Sequence, residues 1–354
     1  MRKVWLVILL LIPAMLGGAD TRAMAMGDAR LTAYDTDYAF THNPAALSAS
    51  GFSLRLPVDA SLYNFTPIAS NDLIAHIQDL ASMDRQRMVN SLLDILRSFN
   101  GQMPFIDLDE GLSLTAGGFG VDLRLWQGLL TNGGSVGTQL ILSAGGQASY
   151  GLGRTIDFDT WSLSLGMAQK FSYAFESQSV GAETVVGLML DERQLDELDY
   201  SVTSSISLDL GMLAQLPLGF KAALVMRDTG GWTETKDRTG DRHSEAMDFS
   251  IDTALGWSGQ WSFLSLELEV GLRDIISLVD AVAWMESFNA GARLGLTRFI
   301  DIYAGINGGY PSLGLAFDIL CFDLALGWWW EDYGIDYGLA PRDVLSIEFA
   351  LSFK

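Results

Sequence analysis

Three histidines, one cysteine and scattered carboxylates are all this chain offers for covalent or metal chemistry. His42 falls in a Gly/Ala/polar stretch, His76 in a loop of helical periodicity and His243 in a charged loop. None is placed where a strand could present a serine to it, as an acyl-transferring enzyme requires. No two histidines have metal-ligand spacing and Cys321 stands alone, so neither a transition-metal site nor an intramolecular disulfide is expected. The acidic loops Asp191–Asp199 and Asp237–Glu245 lack the spacing of a calcium loop and read as solvated. No enzyme, metal or cofactor is expected, which leaves binding and passage.

The elements that must position a binding site are strands. The chain has 354 residues, 43 acidic against 22 basic, for a net charge of −21. Phosphate backbones need Lys and Arg, so nucleic acid is excluded as a partner. Residues 1–19 read as a signal peptide: Arg2 and Lys3, the apolar core Val4–Ile12, a break at Pro13 and small residues ahead of Asp20. Mean hydropathy is positive, yet beyond that signal no apolar run approaches the roughly 18 residues of a spanning helix. Apolar and polar residues instead alternate with period two in segments of about ten residues, the length of a tilted bilayer-crossing strand.

Fourteen such segments are predicted. They are Phe52–Asn64, Leu112–Trp126, Val136–Gly146, Trp161–Phe171, Ala182–Met189, Tyr200–Met212, Leu216–Met226, Met247–Trp257, Trp261–Val270, Phe288–Leu296, Phe299–Ile306, Leu313–Ile319, Phe322–Trp329 and Val344–Phe353. Connections after even-numbered strands are mostly tight, as at Ser258-Gly259-Gln260, Thr297-Arg298 and Cys321. Those after odd-numbered strands are mostly long and charged. A soluble sandwich has no reason to sort its loops by side, whereas outer-membrane barrels do. Trp257 and Trp261 about one turn, and Trp328-Trp329-Trp330 at a strand end, fit aromatic girdles.

The predicted fold is therefore all-β: a 14-stranded antiparallel transmembrane β-barrel spanning 51–354, in the bacterial outer membrane and in contact with its lipid. Within it, 65–111 is a long extracellular loop, helical over Asp72–Asn100, and Arg273–Phe288 has similar periodicity. The apolar faces of these helices must cover each other, the barrel mouth or a hydrophobic ligand. Residues 20–50 are too few and too small to form a domain and are expected to fold into the lumen as a plug.

That stretch carries a family resemblance. Arg22-x-x-x-Met26-Gly27-x-Ala29 followed by Asn43-Pro44-Ala45 resembles the opening segment of the FadL-type outer-membrane transporters of long-chain fatty acids and other hydrophobic compounds. The Met-Gly…Asn-Pro-Ala-Ala-Leu form is also similar to the PorV branch, which serves protein secretion. The aromatic strands and early helical loop are similar to FadL-like barrels of treponemes. The resemblance implies a luminal hatch over 20–50, with Asn43, Pro44 and Ala45 as its anchor and Arg22, Met26 and Gly27 in the motif. It also implies release of ligand sideways through the wall. The implied partner is a long-chain fatty acid or similar hydrophobic ligand, taken up passively.

A fatty-acid carboxylate needs a cation or backbone N–H groups. Within 20–50 the cations are Arg22 and Arg30, which makes them candidate ligand residues with Leu73, Ile77, Leu92 and Phe99 of the helical loop. The resemblance places a wall opening at the third strand, where Gly145-Gly146 stand. The second strand changes parity at Gly117-Gly118, which reads as a bulge. Both pairs are candidates for the opening or for ordinary curvature. The alternatives are a PorV-like secretion partner, a host-facing surface protein or a general porin.

Overall fold

The computed structural model describes residues 20–33, 39–66, 75, 76, 78, 79, 82, 84–96, 102–134, 137–190, 199–278, 281–333 and 337–354. The expected signal peptide lies outside the described residues.

One antiparallel sheet makes the wall. Its strands are β1 (Ser53–Tyr63), β2 (Gln102–Ala116), β3 (Phe119–Gly134), β4 (Gly137–Asp157), β5 (Ser162–Ser177), β6 (Tyr200–Gln215), β7 (Phe220–Asp237), β8 (Arg242–Ala246), β9 (Ser250–Trp261), β10 (Leu264–Leu272), β11 (Phe288–Thr297), β12 (Ile300–Asn307), β13 (Tyr310–Ile319), β14 (Phe322–Asp332) and β15 (Pro341–Phe353). β8 and β9 pair with successive parts of β7 and together form one wall strand, so the wall has fourteen. Each strand pairs with its sequence neighbours, and β1 pairs with β15 from Leu54↔Phe353 to Tyr63↔Val344. That pairing closes the barrel and leaves no sheet edge.

The two faces are inverted relative to a soluble protein. Inward positions of β1 read Ser53, Arg55, Pro57, Asp59 and Ser61, all buried. Outward positions across the wall carry exposed Leu, Ile, Phe, Tyr and Trp, such as Leu152, Leu255 and Phe349. Aromatics cluster at both ends of the wall. Phe158 and Trp161 stack at the β4–β5 turn with centroids 4.2 Å apart, and Trp328 and Trp330 meet edge to face at 6.0 Å near the long-loop end. Trp329 between them points inward and is buried, its Nε1 donating to Glu331 at 2.8 Å. Period two forbids three consecutive tryptophans from sharing a girdle.

The strand count agrees with the sequence reading, but two of its members differ. Leu112–Trp126 is not one bulged strand. It is the β2–β3 hairpin, with Gly117 (φ 56) and Gly118 (φ 89) as its two-residue turn. A bulge and a two-residue turn both shift the outward set from even to odd positions, so parity alone cannot separate them. Ala182–Met189 is not a strand but helix α4 (Ala182–Leu190). Short apolar runs carry no period that tells helix from strand. One missed strand and one extra strand cancel. The β9–β10 turn is Ser262-Phe263 rather than Ser258–Gln260, so Trp257 and Trp261 share the outward face of β9, 5.8 Å apart.

The remaining helices are α1 (Thr21–Ala25), α2 (Ala39–His42), α3 (Arg85–Leu96) and α5 (Ala281–Ser287). α3 and α4 pack together through Met88, Val89, Leu92, Ile95, Val185 and Val186. Beneath them lie Leu62, Ile106, Leu129 and Leu140, which register places on the outward face of β1–β4. The helices therefore brace the long-loop rim from the side that faces lipid lower down.

The β2–β3 turn yields a direct prediction. A Cβ on Gly118 would stand 2.7 Å from the Gly153 carbonyl oxygen at a left-handed φ. Gly118→Val should destabilise the barrel by about 1–3 kcal/mol, read as a lower urea midpoint by tryptophan fluorescence. Gly51→Ala, where the added Cβ meets nothing within 4 Å, should leave the midpoint unchanged.

Candidate functional site: the segment inside the lumen

Residues 20–33 and 39–50 lie against the inward face and cross the lumen between opposite walls. Asp20 caps α1, its Oδ1 accepting from Ala23 N–H at 2.9 Å. α1 rests on β12–β15. Thr21 Oγ1 bonds the Asp59 carboxylate and the Ser346 hydroxyl, and Ser312 Oγ donates to the Ala25 carbonyl at 3.0 Å. Arg22 forks onto Asp318, Nη2–Oδ1 at 2.5 Å. Met26 and Gly27 pass so close to β11 and β12 that a side chain at Gly291 or Gly305 would collide with them. Beyond that crossing, Arg273 Nη1 bonds Asp28 at 3.0 Å. Glu269 of β10 then clasps the chain: Leu31 N–H donates at 2.8 Å, Thr32 N–H at 2.9 Å and Thr32 Oγ1 at 2.5 Å.

The second half docks on the opposite wall. Asn43, fully buried, donates from Nδ2 to the Leu31 carbonyl at 2.9 Å and accepts from Ala45 N–H at 3.0 Å. One side chain thus ties the two halves together and caps the 3-10 turn Pro44–Ala49. Pro44 sits at the turn's start, where its missing N–H costs nothing. Pro44 and Ala45 lie flat on Gly166 of β5 and Gly211 of β6. His42 Nε2 reaches Asp20 Oδ2 at 3.1 Å, and Arg227 Nη2 donates to the His42 carbonyl at 3.0 Å. Burial works against the Asp20 charge, but the field of Arg30 and the bonds from His42 and Ala23 outweigh it and hold the carboxyl well below the usual range.

Two cavities flank the segment. One of about 390 Å³ opens toward the long loops and is lined by Met24, Arg273, Asn307, Tyr310, Glu331 and Tyr337 among others. One of about 870 Å³ opens toward the short turns, with Lys221, Glu267, Arg293, Arg298, Asp301 and Asp318 in its wall. Charged groups line both.

The structure thus gathers Arg22, Met26, Gly27, Arg30, Asn43, Pro44 and Ala45 in the lumen. It separates Leu92 from them, 4% exposed within the α3–α4 packing. Leu73, Ile77 and Phe99 lie outside the described residues. Gly145 and Gly146 sit in a β3–β4 ladder that runs unbroken from Phe119↔Leu152 to Gly134↔Gly137. The most irregular seam is β6–β7, where register shifts twice between Ile206 and Leu210 and Asp228 (φ 54) and Gly230 (φ 63) turn left-handed. Away from the strands, His76 Nδ1 lies 2.9 Å from Ser91 Oγ of α3. That hydroxyl also bonds the His76 carbonyl and is buried in α3, out of a substrate's reach.

Sequence reasoning missed the wall carboxylates Asp59, Glu269 and Asp318 that hold the segment. Their signal was available: a carboxylate at an inward position of a bilayer-crossing strand is expensive unless it has a partner.

No family model matches the sequence, and no curated protein matches it. Solved structures do resemble it. The Pseudomonas putida toluene transporter TodX aligns over 95% of this chain and 98% of its own at 9% identity, with a TM-score of 0.50. The Ralstonia pickettii toluene transporter TbuX aligns over 96% and 99% at 11% identity, TM-score 0.50. A deletion mutant of the TodX channel aligns over 95% and 98% at 10% identity, TM-score 0.52. The fold is the FadL-type barrel. With fourteen strands, a closed wall, an apolar outer face and loops sorted by side, it is a multi-pass barrel of the bacterial outer membrane.

The Glu269 clasp can be opened selectively. Glu269→Ala leaves Leu31 N–H and Thr32 N–H without their acceptor, at about 1–3 kcal/mol for each buried group. Trypsin should then cut at Arg22 or Arg30 in the folded variant but not in the wild type. The heat-modifiable gel mobility of the barrel should not change.

Proposed function

We propose that this FadL-type barrel is a passive outer-membrane channel for hydrophobic solutes, long-chain fatty acids among them, with residues 20–50 as its hatch and 1–19 as a cleaved export signal. The observation that carries the reading is the segment itself. It lies across the lumen between two cavities and is held by discrete hydrogen bonds and ion pairs, as a movable hatch would be. The likeness to TodX and TbuX, both described as toluene transporters, supports hydrophobic cargo. Affinity would come from burial, about 0.8 kcal/mol per CH₂. The α3–α4 pair is packed shut and supports the rim rather than offering Leu92 to a solute.

The same reading places sideways release at the β6–β7 seam, where bulges already weaken the ladder. The charged linings of both cavities favour a second reading, a channel for small polar solutes, which would show as steady conductance in planar bilayers.

Mass spectrometry of the purified barrel should find a co-purifying acyl chain, and calorimetry should register oleate binding. Absence of both would sink the hydrophobic-transport reading. A disulfide between Leu208→Cys and Thr229→Cys, paired across the seam, should cut solute flux at least severalfold in a Cys321→Ser background, with flux restored on reduction. Undiminished flux in the oxidised form would move the exit elsewhere.

A further inference from the structure

Three short turns on one side of the barrel are built unlike its other turns. They are Leu216–Phe220 between β6 and β7, Trp261–Leu264 between β9 and β10, and Ile319–Phe322 between β13 and β14. None holds a charged residue, in a chain with 43 acidic ones. Each instead raises a large apolar side chain at its tip: Leu218 is 86% exposed, Phe263 69% and Leu320 96%. Leu218 (φ 64) and Leu320 (φ 58) are also left-handed, a conformation that costs a leucine energy and suits glycine or asparagine. The turn between β12 and β13, at the long-loop end, shows the ordinary solution, with Gly308 (φ 54) and Gly309 (φ 81). The turn between β4 and β5 carries Asp159. In water a leucine at such a tip gains nothing to offset its backbone.

The apolar tips run without a break onto the lipid-facing wall. Trp257 Nε1 donates to the Leu218 carbonyl at 3.0 Å, which ties the β6–β7 turn to the outward aromatics of β9. Phe220, Trp261 and Phe322 are exposed where the turns meet their strands. In the remaining turn of this sector the Arg298 guanidinium lies 4.5 Å from the Phe299 ring centroid. An aromatic ring beside a long basic side chain suits the boundary between acyl chains and phosphates. The same turns rim a cavity: Leu216, Phe220, Phe263 and Leu264 line the space of about 870 Å³ at this end of the lumen.

We propose that these turns are seated in the phospholipid of the inner leaflet, with Leu218, Phe263 and Leu320 buried at the boundary between headgroups and acyl chains. Burial there supplies what the left-handed leucines lose in backbone energy. The continuity of the tips with the wall favours lipid over a periplasmic protein as the occupant, because lipid already covers the wall they extend. The barrel then sits deeper on this side than at Gly117-Gly118 and Asp159, and its larger cavity opens at the lipid interface instead of in water. Resting on the hydrophobic-channel reading, a solute that reaches that cavity meets lipid there too.

Cys321 is the chain's one cysteine and lies in the third of these turns, so the wild-type protein carries its own probe site. The full chain is labelled there with a nitrobenzoxadiazole fluorophore before refolding and reconstituted in phosphatidylcholine vesicles with or without brominated acyl chains. Phe263→Cys in a Cys321→Ser background reports on a second turn, and Thr239→Cys in that background, in the turn between β7 and β8, is the water-exposed control. Bromolipid should quench the labels at 321 and 263 severalfold more than the label at 239, and aqueous iodide should show the reverse order. Equal quenching at all three positions, or iodide reaching the tips as readily as position 239, would put the turns in water and overturn the proposal. The double variant Leu218→Asn with Leu320→Asn, which relieves the backbone and removes the apolar tips, should lower the urea midpoint of the barrel in vesicles. An unchanged or raised midpoint would also count against a lipid seat. No solute enters these measurements, so their failure leaves the hydrophobic-channel reading standing, and failure of oleate binding leaves the lipid seat standing.

Discussion

A sheet in hydrocarbon can leave no backbone N–H or C=O unpaired, and every other feature of this molecule follows from that constraint. The β1–β15 pairing meets it by closing the wall. Closure assigns the two residue parities of every strand to opposite solvents: lipid outside, a narrow lumen inside. The outward positions must be apolar. The inward positions cannot all be, because a narrow lumen holds no second sheet to cover them, and the chain fills it with its own first residues.

The filling differs in kind from an ordinary core. The N-terminal segment contributes small side chains and backbone, and the wall contributes carboxylates, hydroxyls and glycines. Glycines such as Gly166, Gly211, Gly291 and Gly305 let backbone lie on backbone, while Asp59, Glu269 and Asp318 collect the donors brought against them. Each bond is short-ranged and individually replaceable. An apolar core such as that between α3 and α4 has no such separable parts, because its stability comes from continuous burial. The molecule therefore joins a rigid wall and a packed rim to an insert held by polar contacts.

Glycine and left-handed backbone also locate where the wall departs from regularity. At Gly117-Gly118 they make a tight turn that keeps the ladder intact. Around Asp228 and Gly230 they shift register within a strand pair, and the wall loses pairing there. The same residue types thus end strands cleanly in one place and loosen a seam in another, depending on whether the chain reverses or continues.

By itself the sequence determined the architecture, because alternation, strand length and loop sorting are local properties imposed by the bilayer and are written residue by residue. Tyr200–Met212 and Val344–Phe353 were legible in this way. What it could not determine were choices that parity and composition leave degenerate. Gly117-Gly118 satisfies a bulge and a hairpin turn equally. Ala182–Leu190 is apolar enough for strand or helix until Val185 and Val186 find α3. Leu92 has the spacing of a ligand-facing residue and of a core residue, and packing made it core. Only the tertiary structure decided which cations meet which carboxylates, since Arg22 meets Asp318 and Arg55 meets Glu348 across hundreds of residues of intervening chain. Such pairings depend on the register of a closed barrel, which brings together residues that no local pattern connects.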